Sequence, residues 1–384
     1  MATRQGPVLD LDAVIGDPGR RIIVCCGSGG VGKTTTAAAL AVRAAEQGRR
    51  VVVLTIDPAR RLAQSLGLEE LDNTPRPVAD IDTSAGGSLD AMMLDMKRTF
   101  DEVVESHASP DKAAQILTNP FYIAVSSSFA GTQEYMAMEK LGQLRAQMAD
   151  GSRDWDLVIV DTPPSRSALD FLDAPKRLGS FLDGRFIRLL TGPAKVGGRA
   201  SLKVFTAGVS VAGGIMSKLL GGEFLRDVQT FVAAMDTMFG GFRQRADQTY
   251  ALLARPETAF VVVASPERDA IREAGFFIER LASDRMPLAG VVVNRVQVAS
   301  AKQLGAGRAE DAAVQLEETG GHELAAALLR VHTEVAETAA RHRQVITRFR
   351  TSHPGVPLGT VPAHPLDIHD LEGLREIGEA LAGR

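Results

Sequence analysis

The stretch IIVCCGSGGVGKTTTAAAL, residues Ile22–Leu40, decides the fold of this chain. An apolar, partly β-branched run leads into the glycine-rich segment GSGGVGKT, Gly27–Thr34, and an alanine-rich run typical of a helix follows. The segment satisfies the pattern G-x-x-x-x-G-K-[ST] without a mismatch, and it lies between a predicted strand and a predicted helix, as that pattern requires. Glycines let the backbone approach a phosphate closely, and the N–H groups at a helix start attract its charge. The stretch therefore predicts a phosphate-binding loop.

The same loop supplies the predicted phosphate and metal ligands. Lys33 is expected to reach the β and γ phosphates of a nucleotide, and the Thr34 hydroxyl is expected to bind Mg2+. The alternative is a glycine-rich turn without function, which the flanking strand and helix argue against. The residues expected to hold the nucleotide are Gly27, Ser28, Gly29, Gly30, Val31, Gly32, Lys33 and Thr34.

Two aspartates follow apolar runs elsewhere in the chain. Asp161 ends the run DLVIVD and is the expected carboxylate that holds Mg2+, directly or through water. Asp57 ends the run VVVLTID, and we expect it to polarise the attacking water. Its alternative is a helix N-cap before ARRLAQSLG, because aspartate is favoured there. Since the carboxyl ends of strands face the ligand crevice in open α/β sheets, both carboxylates should approach the phosphates.

Apolar runs alternate with helical patterns along the chain. The runs WDLVIVDTPP, TAFVVVASPE, LAGVVVNRV and VPLGTVPAHP are separated mostly by helical stretches. Continuous apolar strands between helices are typical of a buried parallel sheet with helices on both faces. We therefore predict an α/β fold with a mainly parallel sheet.

Other segments interrupt this alternation. Residues 97–148 and 176–254 have helical patterns and are predicted to form a helical subdomain inserted into one domain at 19–384, after an N-terminal extension at 1–18. Within the second region, the Gly- and Met-rich residues 204–242 are either core or a contact surface for apolar cargo. The alanine- and glycine-rich segment 298–321 is expected to contain a flexible loop before a long helix.

Composition excludes several classes of protein. The 384 residues carry a net charge of -4, which argues against a dedicated nucleic-acid binder. The only cysteines, Cys25 and Cys26, are adjacent on a predicted strand, so neither a disulfide framework nor a zinc site is expected. The longest apolar runs fall short of the roughly 20 residues needed to span a bilayer. We expect a cytoplasmic protein, with peripheral association at the inner face of the membrane left open.

Six motifs together resemble one family. GSGGVGKTT, TIDPARRLAQSLG, GTQEYM, DTPPSRSALDFLDAP, VVVASPE and VVVNRV follow one another as in the arsenite-pump ATPase ArsA and its relatives, which include ATPases that deliver tail-anchored membrane proteins. The resemblance runs from about residue 20 to the end of the chain. It implies a P-loop NTPase of the deviant Walker A (SIMIBI) class, beside MinD and ParA, in a branch of actinobacterial type.

The resemblance also assigns roles to residues. It implies ATP and Mg2+ as cofactors, held by Lys33, Thr34 and Thr35, and it makes Asp57 the hydrolytic aspartate. Asn294 resembles the asparagine that reads adenine, and Pro362 lies in a segment that resembles the one packing on the base. A further family signature, with at most a weak site role, covers Ser265, Pro266 and Glu267.

Departures from the family pattern are informative. Ser28 stands where the class usually has a lysine that crosses a dimer interface to the partner's nucleotide. Arg166 and Ser167 replace a glycine and a histidine of the second switch motif. Three explanations of Ser28 remain open: a paralogous partner that keeps the lysine, a homodimer in which Arg166 or one of Arg60 and Arg61 supplies the charge, and slow hydrolysis as a timer. Because the paired zinc cysteines and the arsenite-binding cysteines are absent, arsenite transport is not expected.

These observations predict a Mg2+-dependent ATPase in which Lys33 and Asp57 are the catalytic residues. It would act as a dimeric nucleotide switch coupled to a membrane protein or an apolar helix as cargo, either as a homodimer or as a heterodimer with a paralogous ATPase. The alternative is a regulatory nucleotide-binding subunit with low turnover, in a hetero-complex whose other ATPase carries the lysine. DNA partitioning is a more distant third class, because no basic surface run is present.

Overall fold

The computed structural model describes most of the chain, and its described residues fall into two compact units. The described residues are 6–57, 61–120, 122, 123, 126, 132–163 and 244–382. The first unit draws on residues 6–93, 147–163 and 252–382, and the second on residues 94–146 and 244–251. The predicted domain boundaries stay predictions.

An eight-stranded sheet forms the centre of the first unit. Its strands are β1 Ile22–Gly27, β2 Arg50–Thr55, β3 Arg76–Pro77, β4 Ser88–Met93, β5 Leu157–Asp161, β6 Thr258–Ala264, β7 Leu288–Val296 and β8 Leu358–Pro362. The strand order is β3-β4-β2-β5-β1-β6-β7-β8. All neighbours are parallel except β3, which is antiparallel to β4. The predicted mainly parallel α/β sheet is confirmed.

The central strands are buried on both faces. Every residue of β1, β5 and β6 is buried. Side chains alternate between the faces of a strand, so Ile23 and Cys25 join the core cluster on one side of β1, while Ile22, Val24 and Cys26 lie on the other. Burial on both faces explains why these strands are nearly continuous apolar runs. Both cysteines are free, as predicted.

Helices cover the sheet. In the first unit they are α1 Leu11–Gly16, α2 Lys33–Glu46, α3 Arg61–Ser65, α7 Arg268–Ser283, α8 Ala306–Thr319, α9 Glu323–Ser352 and α10 Leu371–Leu381. Helix α2 packs closely because its alanines at 37–39 are fully buried, and α10 adds Leu374 and Ile377 to the same core cluster. The acidic C-terminal helix is therefore a packing helix.

Helices also account for the second unit. They are α4 Met96–His107, α5 Pro110–Leu117 and most of α6 Thr132–Asp150. Partly buried ion pairs stabilise the unit: Lys140 Nζ of α6 lies 2.9 Å from Glu102 Oε2 of α4, and Arg245 Nε lies 2.9 Å from Glu139 Oε1 of α6. Of the second predicted helical region, residues 244–253 are helical, and residues 176–243, including the stretch 204–242, lie outside the described residues.

Segment 298–321 differs from its prediction. Residues 298–305 contain neither helix nor strand, but residues 306–319 form helix α8, which the prediction did not include. Ala309 and Ala313, one helical turn apart, are fully buried, and α8 packs on α9. Small side chains at this spacing allow the two helices to approach closely, which composition alone did not indicate.

The predicted N-terminal extension is also folded where it is described. Leu11 and Ile15 of α1 are buried in the core, and the Asp10 side chain caps the helix by accepting from the Ala13 N–H at 2.9 Å.

Within the described part of the chain, none of the helices has both the length and the apolar character needed to cross a membrane.

Candidate functional site

The glycine-rich loop connects β1 to α2. Gly27 has φ +151, and a Cβ atom there would collide with the Val263 carbonyl of neighbouring β6. Gly32 precedes the helix with φ +93, a left-handed conformation that favours glycine. Helix α2 begins at Lys33, and the first N–H groups of a helix have no partner within it. The loop therefore has the backbone of an anion-binding cradle.

Neighbouring strands bring an aspartate to this loop. Strand β1 lies between β5 and β6, and Cys25 of β1 pairs with Asp161 of β5. Asp161 is the last residue of β5 and is 0% exposed. Its Oδ2 atom accepts hydrogen bonds from Thr34 Oγ1 at 2.8 Å and from Thr55 Oγ1 at 2.9 Å. The structure thus joins the loop, β5 and β2 through one carboxylate.

The electrostatics of Asp161 are those of a buried carboxylate. The pKa of Asp161 is raised to about 6, chiefly by burial and to a smaller extent by the negative charge of Asp57. The hydrogen bonds from Thr34 and Thr55 and the positive charge of Lys33 act in the opposite direction. The Oδ1 atom is buried and has no hydrogen-bond partner among the residues that the structure describes. Asp161 therefore has one oxygen left to bind a cation.

These donors fit Mg2+. The ion prefers oxygen ligands and is commonly bound through one or two carboxylates together with substrate phosphates. Asp161 Oδ1 and the Thr34 hydroxyl are such oxygens. The described residues contain no group of three or more His, Cys, Asp or Glu side chains that could hold a metal by themselves. The site therefore suits an ion that arrives with a phosphate.

Lys33 is buried in the loop. It is 7% exposed, and its Nζ atom donates to the Ser28 carbonyl at 2.9 Å. Burial lowers the pKa of Lys33, while the charges of Asp161 and Asp57 raise it. The three charged groups therefore influence one another at the loop. Beside them, the Ser28 hydroxyl is buried without a hydrogen-bond partner in the described structure.

Asp57 lies two residues beyond the end of β2. Its side chain is half-buried, and its backbone N–H donates to Thr55 Oγ1 at 3.3 Å. The same hydroxyl donates to Asp161, so Thr55 connects the two aspartates. Pro58 and Arg60, which follow, lie outside the described residues.

Asn294 contacts the loop from β7. It is 7% exposed, its Nδ2 atom donates to the Val31 carbonyl at 3.0 Å, and its Oδ1 atom accepts from the Arg295 N–H at 2.9 Å. The Arg295 guanidinium donates to the Gly30 carbonyl at 2.9 Å. Sequence reasoning missed Arg295; its place beside Asn294 in VVVNRV was the available signal.

The remaining predicted residues are more distant or outside the described part. Pro362 ends β8, is exposed, and lies three strands from β1 in the sheet order. Ser265 and Pro266 are buried after β6, and Glu267 is exposed at the start of α7. Thr35 is half-buried in α2, and Arg61 is exposed on α3. Arg166 and Ser167 lie outside the described residues.

Comparisons with known proteins identify relatives and a family for this chain. The ATPase ARSA2 of Chlamydomonas reinhardtii is 25% identical over 294 residues, which cover 76% of this chain and 72% of that protein. The ATPase GET3 of Lachancea thermotolerans is 24% identical over 293 residues, 75% of each protein. Protein Rv2184c of Mycobacterium tuberculosis is 32% identical over 173 residues, 42% of this chain and 39% of that one. A family model described as anion-transporting ATPase matches residues 20–317. The chain therefore belongs to the anion-transporting (ArsA) ATPase family, as its motifs predicted.

Proposed function

We propose that this protein binds Mg2+ and ATP at the loop Gly27–Thr34, hydrolyses ATP, and acts as a dimeric nucleotide switch. One observation carries the proposal: Thr34 donates to Asp161, whose second oxygen is buried without a partner in the described structure. A hydroxyl and a free carboxylate oxygen beside a phosphate-binding loop are the donors that a Mg2+-bound nucleotide requires. Family membership supports the use of ATP.

Each residue of the proposed site has a separate role. The loop amides and the Lys33 ammonium group bind the β and γ phosphates, and Lys33 stabilises the charge that develops there. Thr34 and Asp161 hold the ion, whose positive charge neutralises phosphate oxygens. Asp57 orients and polarises the attacking water, because it follows β2 at the same edge of the sheet. The Thr55 hydroxyl connects the two aspartates, because it donates to the Asp161 carboxylate and accepts from the Asp57 N–H.

Partners follow from the sequence rather than from the site. We propose a dimer, because proteins with the loop that this chain resembles use it across a dimer interface. We also propose that residues 204–242 bind a membrane protein or an apolar helix as cargo. Zinc has no proposed role, since the only two cysteines are buried neighbours on β1. No nucleic-acid partner is proposed for a chain with a net charge of -4.

Ser28 favours a second candidate function. A charge supplied across an interface accelerates phosphoryl transfer by about 10³ to 10⁵. Ser28 cannot supply that charge to a partner's site, whereas the residues that bind this chain's own nucleotide are present. The protein would then be a low-turnover regulatory subunit, completed by a paralogous ATPase that keeps the lysine.

ATP hydrolysis by the purified chain, alone and with copurifying proteins, tests both candidates. Lys33→Ala should abolish tight binding of Mg-ATP, and Lys302→Ala, an exposed lysine in the loop before α8, is the matched control. Normal turnover by the isolated chain excludes the hetero-complex. Absence of Mg-ATP and Mg-ADP binding, both alone and in the natural complex, overturns the ATPase itself.

A further inference from the structure

We propose that Asn294 and Arg295 form a clamp on two carbonyl groups of the phosphate-binding loop, and that Arg295 is a positioning residue for phosphate binding. The proposal rests on the proposed nucleotide site and adds a residue to it. It also adds a contact with the loop to Asn294, which the family resemblance assigns to the adenine base.

Consecutive residues of β7 hold consecutive residues of the loop. Arg295 donates to the Gly30 carbonyl at 2.9 Å, and Asn294 donates to the Val31 carbonyl at 3.0 Å. A trans peptide is planar, and its N–H points opposite to its C=O. Fixing these two carbonyls therefore fixes the N–H groups of the next residues, Val31 and Gly32, in the opposite direction. Oriented N–H groups are what a loop of this kind offers to phosphate oxygens.

The backbone of β7 is irregular at this point. Arg295 has φ +59, a left-handed conformation that is uncommon for a residue with a long side chain. The pairing of β7 with β8 shifts register between Val293 and Val296, on either side of the clamp. Irregularities of this kind re-aim a side chain and are frequent at functional sites. Here the irregularity directs the arginine to the loop.

The loop in turn has room for the clamp. A Cβ atom at Gly32 would collide with Asn294 Nδ2, so the amide occupies space that only glycine leaves open. The other end of the amide, Oδ1, accepts the Arg295 N–H at 2.9 Å and supports the left-handed backbone. Both ends of the Asn294 side chain are therefore engaged within the protein, and an amide can make a further hydrogen bond at each end, so the clamp is compatible with base reading.

The clamp predicts a loss of affinity that does not depend on the base. Arg295→Ala and Arg295→Gly should weaken Mg-ADP and Mg-tripolyphosphate by the same factor, about tenfold or more, as expected for losing a hydrogen bond from a charged donor. Glycine adopts the left-handed conformation of residue 295 without strain, so comparison of the two variants separates the loss of the guanidinium from an effect of backbone strain. Arg285→Ala is the matched control, because Arg285 has φ +57 and is exposed between α7 and β7. Titration calorimetry measures each affinity.

Hydrogen exchange of the loop amides provides a second readout that needs no nucleotide. Exchange at residues 28–32 should be faster in Arg295→Ala than in Arg285→Ala, with unchanged exchange in β5. If wild-type protein fails to bind Mg-ADP, the proposed function falls, and the exchange rates still decide the clamp. Equal exchange in both variants overturns it. So does a loss of Mg-ADP affinity without a loss of tripolyphosphate affinity in Arg295→Ala, because that pattern identifies a contact of Arg295 with the base instead of the loop.

Discussion

Thr34 Oγ1 lies 2.8 Å from Asp161 Oδ2, although 127 positions separate the two residues in sequence. The contact exists because β1, which leads into the loop, is the direct neighbour of β5, which ends at the aspartate. A hydrogen bond from a hydroxyl favours the ionised carboxylate, while burial opposes it. Burial is the larger effect, since the pKa of Asp161 is raised to about 6.

The pKa of Asp161 gives a pH dependence for the stability of the metal-free chain. The pKa of Asp161 is about 6 in the folded protein, and its ordinary value, expected for the unfolded chain, is 3.8. Between these two pH values the folded state therefore binds a proton that the unfolded state does not. Stability from this group is therefore fully present below about pH 3.8 and is lost as the pH rises through about 6. The full effect is about 3 kcal/mol, and about half of it falls between about pH 5 and about pH 7.5.

Asp161→Asn is the reference for this measurement, because the amide has nearly the same shape and does not titrate. Urea unfolding in the presence of a chelator should show that wild type gains about 1 kcal/mol relative to Asp161→Asn when the pH is lowered from about 7.5 to about 5. A constant difference between the two proteins over that range would show that the carboxylate has an ordinary pKa.

Substitution of Asp57 should separate binding from chemistry. Asp57→Asn keeps the size of the side chain and removes the charge that polarises water, so we expect unchanged Mg-ATP affinity and a loss of turnover of about 10² or more. Single-turnover hydrolysis and equilibrium titration measure the two quantities. Asp95→Asn, in the N-cap of α4, is a control that leaves both unchanged. Normal hydrolysis by Asp57→Asn would remove Asp57 from the reaction.

Restoring the charge at Ser28 tests why the lysine is absent. If the isolated chain dimerises, Ser28→Lys should raise turnover about tenfold or more, a modest part of the 10³ to 10⁵ that a charge in trans can give. Ser28→Met controls for the added length without charge. Turnover per dimer, measured with the dimer fraction, is the readout. Equal rates in wild type and Ser28→Lys would instead favour a charge that comes from an arginine of this chain.

Much of the site could be predicted because its signals are local. The loop between β1 and α2 could be predicted because its glycines, lysine and threonine have a fixed spacing. This motif also lies between a strand pattern and a helix pattern. Asp161 could be placed near the loop because the carboxyl ends of parallel strands share an edge. The structure adds the specific contact between Asp161 and Thr34, together with the bridging role of Thr55.

Other features depend on contacts that leave no local pattern. The bond from Arg295 to the Gly30 carbonyl requires a left-handed residue after a β-branched strand, which the sequence does not indicate. Helix α8 was missed because alanine and glycine are compatible with a loop, whereas packing of Ala309 and Ala313 on α9 decides for a helix. Tertiary packing overrides weak local preference in such segments.

Arg49 precedes β2 and lies at the amino ends of the strands, where the N-terminal segment is attached. It gives a prediction about that attachment. Its side chain is 11% exposed and lies 2.6 Å from Asp156 Oδ1. It also donates to the carbonyls of Ile15 at 2.5 Å and Arg20 at 2.8 Å, on either side of the turn after α1. Removing the guanidinium leaves the two carbonyls without this donor, and leaves the Asp156 carboxylate with the longer contacts from Arg50. Arg49→Met should therefore lower the free energy of unfolding by about 3 kcal/mol.

The neighbouring Arg50 is the matched control for this substitution. Its side chain is 43% exposed and lies 3.0 Å from Asp154 and 3.6 Å from Asp156, so Arg50→Met should cost less than about 1 kcal/mol. Urea unfolding measures both losses, and titration with Mg-ADP should find unchanged affinity, because Arg49 precedes β2 whereas the nucleotide loop lies at the carboxyl ends of the strands. Equal losses in the two variants would mean that the N-terminal segment is held by its apolar side chains, Leu11 and Ile15, and that the buried arginine adds nothing to the attachment.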